Sequence, residues 1–117
     1  MTREKLTPGI EAATPKDLAG MIDYQEGAVV SRTLLQEEIG TLTVFSFDAG
    51  QGLSEHTVPF NAFVQILDGE ADISIGGEPK TVKTGEIMLM PGGIAHRVQA
   101  KKRFKMLLTM FKVDVTK

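Results

Sequence analysis

Two residues in this sequence stand apart chemically, and both are histidines: His56 in SEHTVPFNAFVQILDGEADI and His96 in GEIMLMPGGIAHRV. An imidazole can ligate a transition metal, move a proton near neutral pH, or give or take one hydrogen bond. Competing chemistries fall away. There is no cysteine, so disulfides, thiolate metal sites and thiol nucleophiles are excluded. Ser54 and Thr57 have no base beyond His56 itself, and alternation sends Thr57 to the opposite face. Glu55 and Glu86 read as surface or turn carboxylates. The glycines of AGQG, DGE, IGGE and PGG are turn makers, and GGIAH lacks the strand-to-helix context of a phosphate loop.

The elements that must position the histidines are strands. From Ala28 onward AVVSRTLL, TLTVFSF, GLSEHTV, AFVQIL, ADISI, EIMLM, HRVQA and FKMLLTMFKV are strand-length and rich in β-branched and aromatic residues. Gly, Pro, Asp or Asn punctuates them. Asp68-Gly69-Glu70 and Gly76-Gly77-Glu78 are hairpin-type turns. Many short strands imply an all-β sandwich or small closed barrel. Before them, the first ten or so residues read as a loose arm. ATPKDLAGMI predicts a short helical turn with Thr14 as N-cap, Pro15 at the first helical position and Asp17 in the first turn. Residues 1–20 are thus an arm with a helical turn, and 21–117 a single barrel domain.

Two segments carry a family resemblance. From Gly50 to Gly69 the run follows Gly, five residues, His-x-His, three residues, Glu, six residues, Gly, with Gly50, His56 and Gly69 in place. From Gly85 to Ala100 it follows Gly, five residues, Pro-x-Gly, two residues, His, three residues, Asn, with Gly85, Pro91, Gly93 and His96 in place. Together they resemble the two cupin motifs, over a stretch from Gly27 to Lys112. The chain is similar to small single-domain, RmlC-like cupins, which implies a double-stranded β-helix or jelly-roll barrel. In that family both histidines and the glutamate of the first motif, with the histidine of the second, commonly hold one divalent metal: Fe, Mn, Ni, Zn or Cu. Carried over, His56 and His96 occupy ligand positions. Val58 replaces the second histidine, Ala62 the glutamate and Ala100 the terminal asparagine, so half the ligand set and its anion are missing.

Strand alternation sorts the neighbours. Residues 54, 56 and 58 share a face, as do 62, 64 and 66, and Val98 points with His96. The expected pocket is a hydrophobic cup lined by Val58, Ala62, Val64, Met88, Met90, Val98 and Met106, with Leu108 and Met110 on the same face as Met106. Asn61, in a turn, and Gln65, if a bulge re-aims it, are the candidates for a further ligand. The methionines are expected as core filler, with a thioether-assisted copper site as the alternative.

A small organic molecule in the barrel, beside an atypical metal site on two histidines, is the function these observations imply. A metal-dependent oxygenase or isomerase and a metal-free binding or sensing barrel are the alternatives. A homodimer is expected, because AFVQIL is apolar on both faces except Gln65 and needs cover on both; an N-terminal segment folded over that face is the other solution. Net charge is −2 and the one basic cluster, Lys101-Lys102-Arg103, reads as a turn, so no nucleic-acid partner is expected. The first 20 residues have no apolar run resembling a signal peptide and no later run is long enough for a membrane span, so no membrane partner and a cytoplasmic location are expected.

Overall fold

Alternation of large apolar and polar side chains along the nine strands of the described residues is satisfied by closing two antiparallel sheets face to face. The structure, a computed structural model, describes residues 9–112. The strands are β1 Val29–Glu37, β2 Gly40–Phe47, β3 Gly52–His56, β4 Phe60–Asp68, β5 Glu70–Ile75, β6 Glu78–Lys83, β7 Ile87–Met90, β8 His96–Gln99 and β9 Phe104–Lys112. One sheet has the order β1-β2-β9-β4-β7, the other β3-β8-β5-β6. Both histidine-bearing strands are neighbours in the smaller sheet.

The interior is filled from both sheets. Phe47, Ala62, Val64, Ile66, Ala71, Ile73, Val82, Met90, Val98, Ala100, Phe104 and Met106 form one buried cluster. At one end of the barrel Phe47 and Phe104 stack with ring centroids 4.5 Å apart. They are register partners on β2 and β9, so the stack ties the two strands together inside the core.

A second, smaller cluster lies outside the five-stranded sheet. Ile22, Leu34 and Val44 are buried there, with Ile10, Leu18, Met21, Leu42, Leu67 and Leu107 packed against them. Leu34 reaches this layer because β1 bulges: Thr33 pairs with Thr43 but Leu35 pairs with Leu42, leaving Leu34 as the extra residue. The Gly9 amide donates to the Leu34 carbonyl and Arg32 donates to the Gly9 carbonyl, so the segment is tied down from residue 9. The loose arm expected over the first residues otherwise lies outside the described residues. Tyr24 adds a side-chain clamp: its hydroxyl donates to Asp68 at 2.5 Å, and Arg103 lies 4.0 Å over its ring. Burial and the Asp68 carboxylate push its phenol pKa well above the ordinary value.

Two local expectations need correction. The helical turn is a 3-10 turn over Leu18–Met21 with Asp17, not Thr14, at its N-cap. Thr14 instead donates its hydroxyl to the Ala12 carbonyl; as the residue before Pro15 it disfavours helical backbone, which moves the start onward. The strand β6, EPKTVK, was not expected. It is mostly exposed, with Val82 its one buried side chain, so it lacks the apolar alternation of an inner strand. It is a sheet edge, protected by Pro79 and two lysines. The turn before it has positive φ at both Gly76 (58°) and Gly77 (84°), the geometry of a two-residue hairpin loop.

Candidate functional site

The histidines are brought together by strand pairing. On the β3–β8 ladder His56 is the register partner of His96, and their rings meet edge to face at 4.5 Å between centroids and 61°. They stand on the wall of a cavity of about 180 Å³ at the barrel end opposite the Phe47–Phe104 stack. Ala62 on β4, Met90 on β7, and Met106, Leu108 and Met110 on β9 form the facing wall. Phe45, Leu53, Val58 and Val98 complete it. His56 is exposed, so the cavity opens on its side, whereas His96 is 6% exposed.

The expected lining is partly redistributed. Val58, Ala62, Met90, Val98 and Met106 lie on the cup, as do Leu108 and Met110. Val64 and Met88 do not; as register partners one step further along β4 and β7, they pack in the core. Strict alternation places Ser54 with His56, but Leu53 lines the cup instead. The β3–β8 register shifts between Leu53 and His56, and that irregularity turns both side chains inward. Phe45 was also unforeseen as a lining residue. Its alternation with Phe47 was legible, but not which face of β2 turns in.

Of the candidate extra ligands, Asn61 uses its side-chain oxygen to accept the Gly92 amide at 2.9 Å. Gln65 follows the outward parity of Phe63 and is not on the cup wall. Larger concavities among the described residues, of about 580, 530 and 260 Å³, carry neither histidine. The first two are lined mainly by charged and polar side chains, the third by residues of β1, β2, their turn and β9, such as Ile39 and Phe111.

The two rings differ in their polar partners. His56 Nδ1 lies 2.9 Å from the Ser54 carbonyl. A carbonyl only accepts, so Nδ1 carries the hydrogen and Nε2 keeps its lone pair. His96 Nδ1 is buried without a hydrogen-bond partner. Burial lowers the His96 pKa, the neighbouring His56 lowers it further, and the Ile94 carbonyl works weakly the other way. His96 therefore stays neutral at pH 7. A backbone carbonyl fixes the tautomer of His56 alone.

A metal in the family manner needs more than this. Val58 and Ala62 occupy the cup where a second imidazole and a carboxylate would stand. Among the described residues no group of three or more His, Cys, Asp or Glu side chains could hold a metal ion. Two neutral donors do not offset the desolvation of a divalent cation in an apolar cup, so this donor set does not fit a resident hard divalent ion.

Two antiparallel sheets closed into a jelly-roll barrel, with a histidine-bearing cup at one end, define the class: a small double-stranded β-helix domain. The Cupin_2 family, described as a cupin domain, matches residues 43–111, and the chain belongs to it. Among solved structures, a conserved protein of unknown function from Streptococcus pyogenes is 38% identical, with 92% of this chain and 94% of that one aligned at a TM-score of 0.86. A Cupin 2 conserved barrel domain protein from Leptotrichia buccalis is 39% identical over 80% of this chain and 46% of that one, at a TM-score of 0.78. A cupin superfamily protein from Desulfitobacterium hafniense is 28% identical over 90% and 96%, at 0.84. No curated protein matches the chain. No helix among the described residues is long and apolar enough to cross a membrane.

Proposed function

We propose that this cupin is a binding barrel whose cup takes one small, largely apolar organic molecule, with the imidazole pair as its polar contact. The observation that carries this reading is the cup itself: nine apolar side chains and two imidazoles around about 180 Å³. An apolar cavity of about 150 Å³ is enough to bind benzene, so a six-membered ring with one or two further heavy atoms fits. Calorimetric titration with toluene tests this. Saturable binding to the wild type, lost in an Ala62→Leu variant that remains folded, is expected; no binding to the wild type overturns it.

The second reading is a metal site on His56 and His96, and one observation selects among the metals. Met90, Met106 and Met110 share the cup with the imidazoles. Thioether and imidazole donors without an anion suit Cu(I) better than Fe, Mn, Ni or Zn. Competition for Cu(I) against a chromophoric chelator tests it, with loss of copper retention expected in Met106→Leu/Met110→Leu. No acid–base pair or nucleophile other than the imidazoles lines the cup, and we assign it no reaction.

We propose further that the chain pairs with a second copy through the outer face of its larger sheet. The N-terminal segment covers Val44, Leu42 and Leu107 on that face. Phe63, Ile87, Leu89 and Phe111 remain exposed. Phe63 is the register partner of Leu89, so the exposed side chains form one patch across β4 and β7. A flat, nearly uncharged patch of this kind is self-complementary about a two-fold axis. Sedimentation of wild type against Phe63→Lys/Leu89→Lys tests it: a dimer reduced to monomer is expected, and a monomeric wild type refutes the pairing.

A further inference from the structure

We infer that the cup selects a neutral hydroxyl compound of about benzene size, an alcohol or phenol, over both a carboxylate and an unsubstituted hydrocarbon. This rests on the cup being a binding site. It follows from the direction of the hydrogen bonds the cup can make.

The Ser54 carbonyl holds the hydrogen of His56 on Nδ1, so the other ring nitrogen can only accept. His96 Nδ1 is buried without a hydrogen-bond partner. The remaining lining side chains, from Phe45 through Met110, are apolar and offer no N–H or O–H. The cup thus presents one fixed acceptor, His56 Nε2, and no cationic side chain.

A carboxylate brings only acceptors to such a site. Its charge would lose water with no cationic side chain on the cup to offset the loss, and it would face the His56 lone pair. An ammonium would match the lone pair, but no carboxylate lines the cup to offset its desolvation. A hydrocarbon fills the volume and leaves that nitrogen without a partner, at the cost of whatever water it held. A hydroxyl group gives its hydrogen to an imidazole nitrogen and adds no charge. The cavity volume of about 180 Å³ limits the rest of the molecule to roughly one ring.

The test uses three probes at pH 8, where phenol is neutral and benzoate charged: toluene, phenol and benzoate, titrated calorimetrically into the wild type and His56→Leu. His56 is exposed, so the substitution leaves the core intact. The expected wild-type result is phenol binding and benzoate not. In His56→Leu the ratio of phenol to toluene affinity should fall about tenfold, the weight of one neutral hydrogen bond. An unchanged ratio, or benzoate binding tighter than phenol, overturns the selectivity while leaving the cup reading standing. If none of the three binds, the cup reading itself has failed and this inference goes with it.

Discussion

The two ends of the barrel are built from the same strands and the same alternation, yet one is solid and the other hollow. Along β9, Phe104 fills the closed end, and Met106, Leu108 and Met110 line the cup. Along β2, Phe47 fills and Phe45 lines; on β8, His96 and Val98 line, and Ala100 just past its end fills. At the closed end the stacked rings of Phe47 and Phe104 take up the interior. At the open end, beside Ala62 and Val58, the space remains. The lesson is that a cupin cup is less a feature added to the fold than an interior left unfilled where the family's pattern calls for bulky polar side chains.

The largest test of this contrast is Phe104→Ala, which removes half of the stack from a fully buried site. We expect a loss of about 3–5 kcal/mol in chemical denaturation. A loss below about 1 kcal/mol would mean the closed end is not the denser one. Next comes one substitution made at both ends. Ala100→Leu should cost about 1–3 kcal/mol through overpacking. Ala62→Leu should cost less or stabilise, because it grows into existing space, and it should abolish toluene binding. Equal penalties would erase the distinction.

A smaller effect concerns His96, the one buried titratable group on the cup. Its folded pKa is lowered below the ordinary value of 6.5, so folding favours the neutral ring. The stability associated with it is complete above about pH 6.5. It falls as pH drops below that value, by up to about 1.4 kcal/mol per pH unit, and levels off below the folded pKa. Thermal denaturation between pH 8 and pH 5 should show this loss in the wild type, and a smaller one in His96→Gln. His56→Gln removes only the smaller contribution that the neighbouring ring makes to the His96 shift and should reduce the loss less than His96→Gln does. A profile flattened more by His56→Gln than by His96→Gln would reverse the assignment.

How far the sequence reached can be judged residue by residue. The inward set Ala62, Met106, Leu108 and Met110 follows from period two, because alternate side chains of a strand must face the same way. The spacing of Gly50, His56, Gly69 and of Gly85, Pro91, Gly93, His96 identified the cupin pattern, and the same spacing showed Val58 and Ala62 where ligands are expected. Leu53 was out of reach. Its inward turn comes from a register shift against β8, and a bulge depends on the partner strand as much as on the strand that bends. β6 was missed for the opposite reason: as an edge, it has few buried side chains to write a pattern with.

The sequence by itself therefore determined every strand but β6, the family and the missing ligands, since these are local or spacing properties of one chain. Which end is filled, which nitrogen of His56 keeps its lone pair, and which half of the outer face the N-terminal segment covers were decided only in three dimensions. Each depends on contacts between residues far apart in the chain or on the path of the backbone: Phe47 against Phe104, Ser54 bending back to His56, Ile22 over Val44.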